Sequence, residues 1–187
     1  FLFSPDGKHV IIIHQVPTET SIAKNDEDLP KASGMLINDL MYKHWDSYVR
    51  SIPHPFLAEY SNGKVANAKD ILEGQPFECP MMPFGGMEEF AWSPDSKKLA
   101  YVLRQKKGRD YAVSTDSDIF LYDINDGSSL NLCKPITRDI KQPIKIDYTR
   151  SLKDQRIYEG EDCNLGYDDN PKFSPDGKYI AWTSMKH

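Results

Sequence analysis

The chain has 187 residues, with 23 Lys+Arg against 28 Asp+Glu and a formal net charge of −5, a length that fits one ordinary domain or part of a larger one. Its 39% hydrophobic and 11% aromatic residues suffice for a core and exclude global disorder, while its acidity excludes a general nucleic-acid binder, which carries a basic patch or stripe. The longest unbroken aliphatic run, residues 10–13, is far short of the ~20 apolar residues of a membrane helix, so no membrane span is expected.

The first element reads as a hairpin. An apolar start at residues 1–3 leads into Phe3-Ser4-Pro5-Asp6-Gly7-Lys8, and an aliphatic strand follows at residues 10–13. Ser suits position i of a type I turn and Pro supplies the fixed φ at i+1. Asp is tolerated at i+2, and Gly takes the left-handed position that closes the hairpin with a bulge. Residues 17–50 then form an insert. Its polar, acidic part at 18–33 has no strand pattern, whereas residues 35–46 alternate well enough to hold a strand. A second hairpin runs through Phe56-Leu57-Ala58-Glu59-Tyr60, the turn Ser61-Asn62-Gly63-Lys64 and a strand toward Ile71 and Leu72. Asn-Gly between apolar runs is a strong hairpin signal.

The pattern then repeats. After a loop with Gly85-Gly86, Trp92-Ser93-Pro94-Asp95-Ser96-Lys97 precedes an apolar run at residues 99–103. Ser96 stands where the turn wants glycine, at a cost of roughly 1–2 kcal/mol. Residues 118–123, a turn around Asn125-Asp126-Gly127 and Leu130-Asn131-Leu132 supply the next hairpin. A second insert at 134–169 carries Pro135, Pro143, Gly160 and Gly166 and shows no convincing helix. Phe173-Ser174-Pro175-Asp176-Gly177-Lys178 then opens a third unit, followed by apolar residues at 179–182.

Two successive hairpins are four antiparallel strands, the content of one propeller blade. The expected fold is all-β, a partial β-propeller of four-stranded antiparallel blades. It comprises a blade at 1–72 with the insert 17–50, a blade at 88–133, the insert 134–169 and the first hairpin of a next blade at 170–187. The two inserts explain why the motif recurs more widely than a blade of ~40–50 residues requires. Phe3, Trp92, Tyr101, Phe173 and Trp182 fall in register with the repeats and read as blade-to-blade packing. Closed propellers need ~4–8 blades, so the chain is expected to be a segment of a larger one. Alone, with open strand edges and blade faces, it is expected to aggregate or to be marginally stable.

Few residues carry chemistry on sequence grounds. There is no G-x-S-x-G elbow, so no catalytic triad is expected within the chain. His14, His44 and His54, with Asp46 near the second, match no metal-binding pattern and read as polar residues of strand ends and insert loops. Asp116, Asp118, Asp123, Asn125 and Asp126 do not follow the alternating ligands of a calcium loop and read as strand-flanking turn residues. Gly85-Gly86 lacks the helix and the Lys-Ser/Thr pair of a phosphate cradle. Cys79, Cys133 and Cys163 include no C-x-x-C pair and form no disulfide framework, although one bridge fits the count. No metal and no cofactor are expected.

Glu88 and Glu89 are more interesting. They precede the innermost strand of the second blade, and the N-terminal loops of inner strands face one end of a propeller's channel. Paired carboxylates there suit a substrate's α-ammonium group through a charge-assisted hydrogen bond. The alternative is a pair of solvated strand-entry charges.

The F/W-S-P-D-G/S-K hairpins resemble the repeats in the N-terminal propellers of the prolyl oligopeptidase family of serine peptidases, and also those of TolB-like propellers. Leu40-Met41-Tyr42-Lys43-His44-Trp45-Asp46-Ser47-Tyr48, followed by His54-Pro55-Phe56-Leu57-Ala58, is similar to a segment of that family's dipeptidyl-peptidase 5 and acylaminoacyl-peptidase-like members. Residues 118–123 and Asn170-Pro171-Lys172-Phe173-Ser174-Pro175 fit the same plan. The resemblance covers nearly the whole chain, least of all the acidic part of the first insert.

This resemblance implies a serine exopeptidase of short peptides whose propeller restricts access to a C-terminal α/β-hydrolase domain. The nucleophilic Ser, the Asp and the His belong to that domain, and none maps onto this chain. The implied partners are a peptide substrate and the hydrolase domain, and the implied compartment is the periplasm or the exterior. Met87-Glu88-Glu89-Phe90 does not reproduce the longer Asp-Trp…Glu-Glu signature of the dipeptidyl-peptidase IV branch. The competing reading is a TolB-like propeller that docks a protein partner and hydrolyses nothing.

Overall fold

The computed structural model describes residues 1–18, 20–21, 26–37, 40, 42–45, 47–133 and 166–185. Asp46, Cys163 and nearly all of the second insert therefore lie outside the described residues. The fold is all-β, built from two four-stranded antiparallel sheets and a further hairpin. The first sheet joins β1 (Leu2–Phe3), β2 (His9–Pro17), β7 (Ser51–Ser61) and β8 (Lys64–Asp70) in that spatial order. The second runs β9 (Phe90–Trp92), β10 (Lys98–Leu103), β11 (Asp118–Asp123) and β12 (Ser129–Asn131), each strand beside its predecessor. The hairpin pairs β13 (Asp168–Phe173) with β14 (Ile180–Ser184).

The three Ser-Pro-Asp turns are nearly superposable in their bonding. In each, the Ser hydroxyl donates to the Asp carboxylate, at 2.6 Å for Ser4–Asp6, 2.7 Å for Ser93–Asp95 and 2.6 Å for Ser174–Asp176. The Lys N–H two residues on donates to the same Asp oxygen. The Asp is thus more than tolerated at its position: it ties the turn, and these two bonds hold Asp6, Asp95 and Asp176 below the usual carboxylate value. Gly7, Ser96 and Gly177 all sit in the left-handed region, at φ 70°, 61° and 71°. Ser96 offsets its strain, because its hydroxyl accepts the N–H of Asp6 at 3.0 Å and so links the first two turns. At the next hairpin, Gly177 faces the ring of Pro94. Asn62 and Gly63 both have positive φ, as a type I′ turn requires.

β10 shows how the sheets stack. Residues 99–103 are all buried, a pattern expected of a strand covered on both faces. Leu99, Tyr101 and Leu103 face Ile11, Leu72, Cys79 and Trp92 on the side of the first sheet. Ala100 and Val102 face Met81, Ile119 and Cys133, with Tyr167, Phe173 and Trp182 of the third unit packed alongside. Of the recurring aromatics, Trp92, Tyr101, Phe173 and Trp182 thus pack between units. Phe3 differs: it is 41% exposed and meets Tyr60 edge-on within its own sheet.

Several local expectations need correction. The region 35–46 is not one strand: β4 (Met35–Leu36) pairs with β3 (Thr20–Ser21), and β5 (Tyr42–His44) pairs with β6 (Ser47–Tyr48). The acidic stretch thus does contain a strand, its pattern hidden because a two-residue pair is too short to show a period. A short helix α1 (Gly108–Val113) fills the connection between β10 and β11. His44 ends β5 in the insert, whereas His54 lies inside β7 rather than at a strand end, and both are buried. His54 Nδ1 lies 2.8 Å from Asp70 Oδ2, and the His44 partner is described below. The turn reading holds for Asp123, Asn125 and Asp126, which bond within their own loop. It fails for Asp118, buried within β11. Among the described residues, no helix is long and apolar enough to cross a membrane.

Candidate functional site

Glu88 and Glu89 occupy a single 3-10 turn, Met87–Glu89, directly before β9. Adjacent residues on such a turn diverge, and the two carboxylates separate. Glu88 is exposed, whereas Glu89 is 1% exposed and its Oε2 accepts the Met81 N–H at 2.8 Å. Burial pushes the Glu89 carboxyl up to about 8; the Met81 bond opposes this, Asp169 and Glu88 add to it, and Arg104 opposes it. Near neutral pH the group is therefore mostly protonated, and a cation brought against it would draw the proton off.

The local sequence explains why the chain can close around this carboxyl. The loop turns back on itself where the Gly85 N–H donates to the Met81 carbonyl at 2.7 Å. A β-carbon at Gly85 would overlap the Glu89 carboxylate and the Met81 backbone, whereas one at Gly86 would meet only the Glu88 carboxylate. Gly85-Gly86 is thus a steric requirement of the Glu89 cradle. Gly85→Ala is expected to cost about 1–3 kcal/mol by overpacking, and Gly86→Ala much less, since the exposed Glu88 side chain can rotate away. Thermal melts of the two variants side by side check this, and equal losses would refute it.

β13 packs against the same turn. Tyr167 donates to Asp169 Oδ2 at 3.1 Å. Burial and then Asp169 push the Tyr167 phenol up to about 12, with smaller effects of Glu89 and Arg104. Glu89, Asp169, Tyr167 and Arg104 therefore share one electrostatic environment between the second sheet and the hairpin after it.

Arg104 also reaches a second cluster. Its guanidinium lies 5.1 Å from the ring centre of Tyr111 on α1, and Lys43 Nζ lies 5.3 Å from the same ring. The Tyr111 hydroxyl donates to Glu78 Oε2 at 2.6 Å, and His44 Nε2 lies 2.7 Å from Glu78 Oε1. Burial and the bond to Glu78 raise the Tyr111 phenol, which keeps it a donor. The β5–β6 ribbon and α1 are thereby fastened to one buried carboxylate. Beside His44, Trp45 is 75% exposed and meets the 80% exposed Phe84 edge-on at 5.4 Å. Glu78, Arg104, Tyr111 and Asp169 carry no sequence signal, since each belongs to the site only through the packing of segments distant in the chain.

No protein-family model matches the chain. It is 43% identical over 186 residues to dipeptidyl-peptidase 5 of Porphyromonas gingivalis, a match covering 100% of this chain and 23% of that protein. The corresponding enzyme of Porphyromonas endodontalis is 37% identical over the same share of both chains. A probable dipeptidyl-peptidase 5 of Arthroderma benhamiae is 28% identical over 164 residues, covering 82% of this chain and 19% of the other. Among solved structures, TolB from Acinetobacter baumannii covers 96% of this chain and 25% of its own, with 16% identity and a TM-score of 0.39. The chain thus spans about a quarter of the length of the curated relatives it matches.

Proposed function

We propose that this chain, homologous along its whole length to a part of dipeptidyl-peptidase 5, is a substrate-gating propeller segment of a serine exopeptidase acting on short peptides. The observation that carries the reading is this full-length identity of 43%. In it, the chain holds no catalytic triad of its own. The acyl transfer to Ser takes place in an α/β-hydrolase domain of the same protein, and the propeller limits by size which peptides reach it. The secreted or periplasmic setting implied by the family belongs to the same proposal.

Within that reading, Glu88 takes the peptide's α-ammonium group directly, and Glu89, turned inward onto the Met81 N–H, acts on it through charge alone. Glu88 offers an exposed carboxylate, and Glu89 gives up its proton as the cation arrives, so the pair gains charge only when substrate is present. A hydrogen bond to a charged partner is worth about 1.5–3 kcal/mol. Glu88→Gln/Glu89→Gln in the full-length protein is therefore expected to lower kcat/KM for a fluorogenic dipeptidyl substrate about 10–100-fold. The same variant should treat an N-acylated analogue, which has no ammonium, like the wild type. Unchanged kinetics on the free dipeptide would remove the two glutamates from the site. Full-length protein that hydrolyses neither substrate and ignores a serine-reactive inhibitor would overturn the peptidase reading in favour of a protein-docking propeller.

A further inference from the structure

Three polar side chains converge where the second sheet meets the following hairpin. Asp118 begins β11, Cys133 follows β12 and Asp168 begins β13. All three are buried, Asp168 completely, and one ligand atom from each lies within 4.8 Å of the other two. Asp168 Oδ1 accepts the Trp182 Nε1–H at 3.1 Å, but Asp168 Oδ2 is buried with no hydrogen-bond partner. An orphaned buried carboxylate oxygen is costly, and it points to a ligand.

We propose that Asp118, Cys133 and Asp168 form a divalent-cation site, best suited to zinc, that ties the second blade to the unit after it. Two oxygens and a sulfur are a borderline donor set, too soft for magnesium or calcium and suited to zinc. A tetrahedral zinc with Zn–S about 2.3 Å and Zn–O about 2.0 Å places its ligand atoms about 3.3–3.5 Å apart. The observed set contracts onto the ion by shifts of the order of an ångström. On binding, the thiol releases its proton to solvent and the sulfur coordinates as thiolate.

The surroundings already have the form of an outer shell. The Asn131 side-chain amide donates to Asp118 Oδ2 at 2.7 Å, and Trp182 orients Asp168. Burial, with Asp168 and Asp118 adding to it, holds the Cys133 thiol up at about 12 until a cation is present. The Ile119 N–H, which donates to Sγ at 3.3 Å, opposes this and eases negative charge on sulfur. Such partners fix the ligands and tune the metal. The site is independent of the peptidase reading and needs no catalytic role.

Because the ligands are buried, the ion enters as the protein folds. The test is elemental analysis of full-length protein produced in zinc-supplemented medium, with Cys133→Ser and Asp168→Asn produced alongside. The wild type is expected to hold about one zinc per chain more than either variant. Production with Co²⁺ instead should give a thiolate-to-metal absorption band in the near ultraviolet that Cys133→Ser lacks. Asp168→Asn preserves size and the Trp182 bond, and near-ultraviolet circular dichroism establishes its fold should Cys133→Ser fail to accumulate. Having lost a ligand, it is expected to lose its zinc as Cys133→Ser does. A wild type without zinc, or zinc content equal in wild type and Asp168→Asn, overturns the proposal.

Discussion

Replacing Glu78 by Ala is expected to lower the stability of the full-length protein by about 3–5 kcal/mol, the range for removing one member of a buried, hydrogen-bonded charged cluster. The physical loss is on the partners. Glu78 Oε1 holds His44 at 2.7 Å and Oε2 holds the Tyr111 hydroxyl at 2.6 Å. Without the carboxylate, both polar groups must stay unsatisfied or draw water into the gap, and each buried orphan costs about 1–3 kcal/mol. Tyr111→Phe removes one of the two bonds and leaves the other, so its expected loss is only about 1.5–3 kcal/mol.

The damage should also be local. β5 and α1 are short and rest on Glu78, so amide exchange ought to rise first at residues 42–44 and 108–113, ahead of β10. Urea denaturation gives the energies and hydrogen exchange gives the location. A Glu78→Ala protein within 0.5 kcal/mol of wild type, or one that loosens uniformly, would show that the cluster is ornamental to the fold.

The second large effect is a dependence of stability on pH centred on Glu89. Its carboxyl is raised from 4.5 to about 8, chiefly by burial. Between those values the folded chain binds more protons than the unfolded one, so stability falls as pH rises. The contribution of the neutral acid is fully present below about 4.5 and is lost as pH passes through about 8. At 1.36 kcal/mol per pH unit, the whole window corresponds to about 4–5 kcal/mol. The charged groups acting on Glu89 are Asp169 and Glu88, which oppose ionisation, and Arg104, which favours it. The buried thiol of Cys79 and the Tyr167 phenol feel Glu89 in return.

Glu89→Gln keeps an oxygen for the Met81 N–H and cannot ionise. Its stability relative to wild type should be near zero at about pH 5 and grow by several kcal/mol toward pH 9. Urea midpoints of both proteins across that range, taken as differences, cancel the titration of every other group. A difference that stays constant with pH would mean that Glu89 ionises normally and that its burial is relieved by water. The same burial makes Glu89 responsive to an arriving ammonium, so stability and proposed recognition draw on one feature.

How much was legible in the sequence depends on how far each feature reaches along the chain. The backbone of the Ser-Pro-Asp-Gly/Ser turns was legible, including the left-handed Ser96, because a turn is decided by residues three or four apart. The tie made by each Asp side chain and the bond from Asp6 to Ser96 were not. The long strands that follow the turns, and the all-β class, were legible too. Short pairings such as Thr20–Ser21 with Met35–Leu36 were not, because two residues cannot display a period. Glu88 and Glu89 were visible as neighbours, but a string of letters does not say that one faces water and the other the Met81 amide.

The sequence by itself thus determined the repeat, the backbone of its turns and the long strands, since local backbone preference and apolar runs suffice for these. Only the tertiary structure decided which polar groups are buried together. Glu78 with His44 and Tyr111, Glu89 with Asp169 of β13, and Asp118 with Cys133 and Asp168 are each assembled across elements remote in the chain. Their meeting is fixed by strand register and by the stacking of one blade on the next. Those are properties of the packed sheets, and no residue carries a local mark of them.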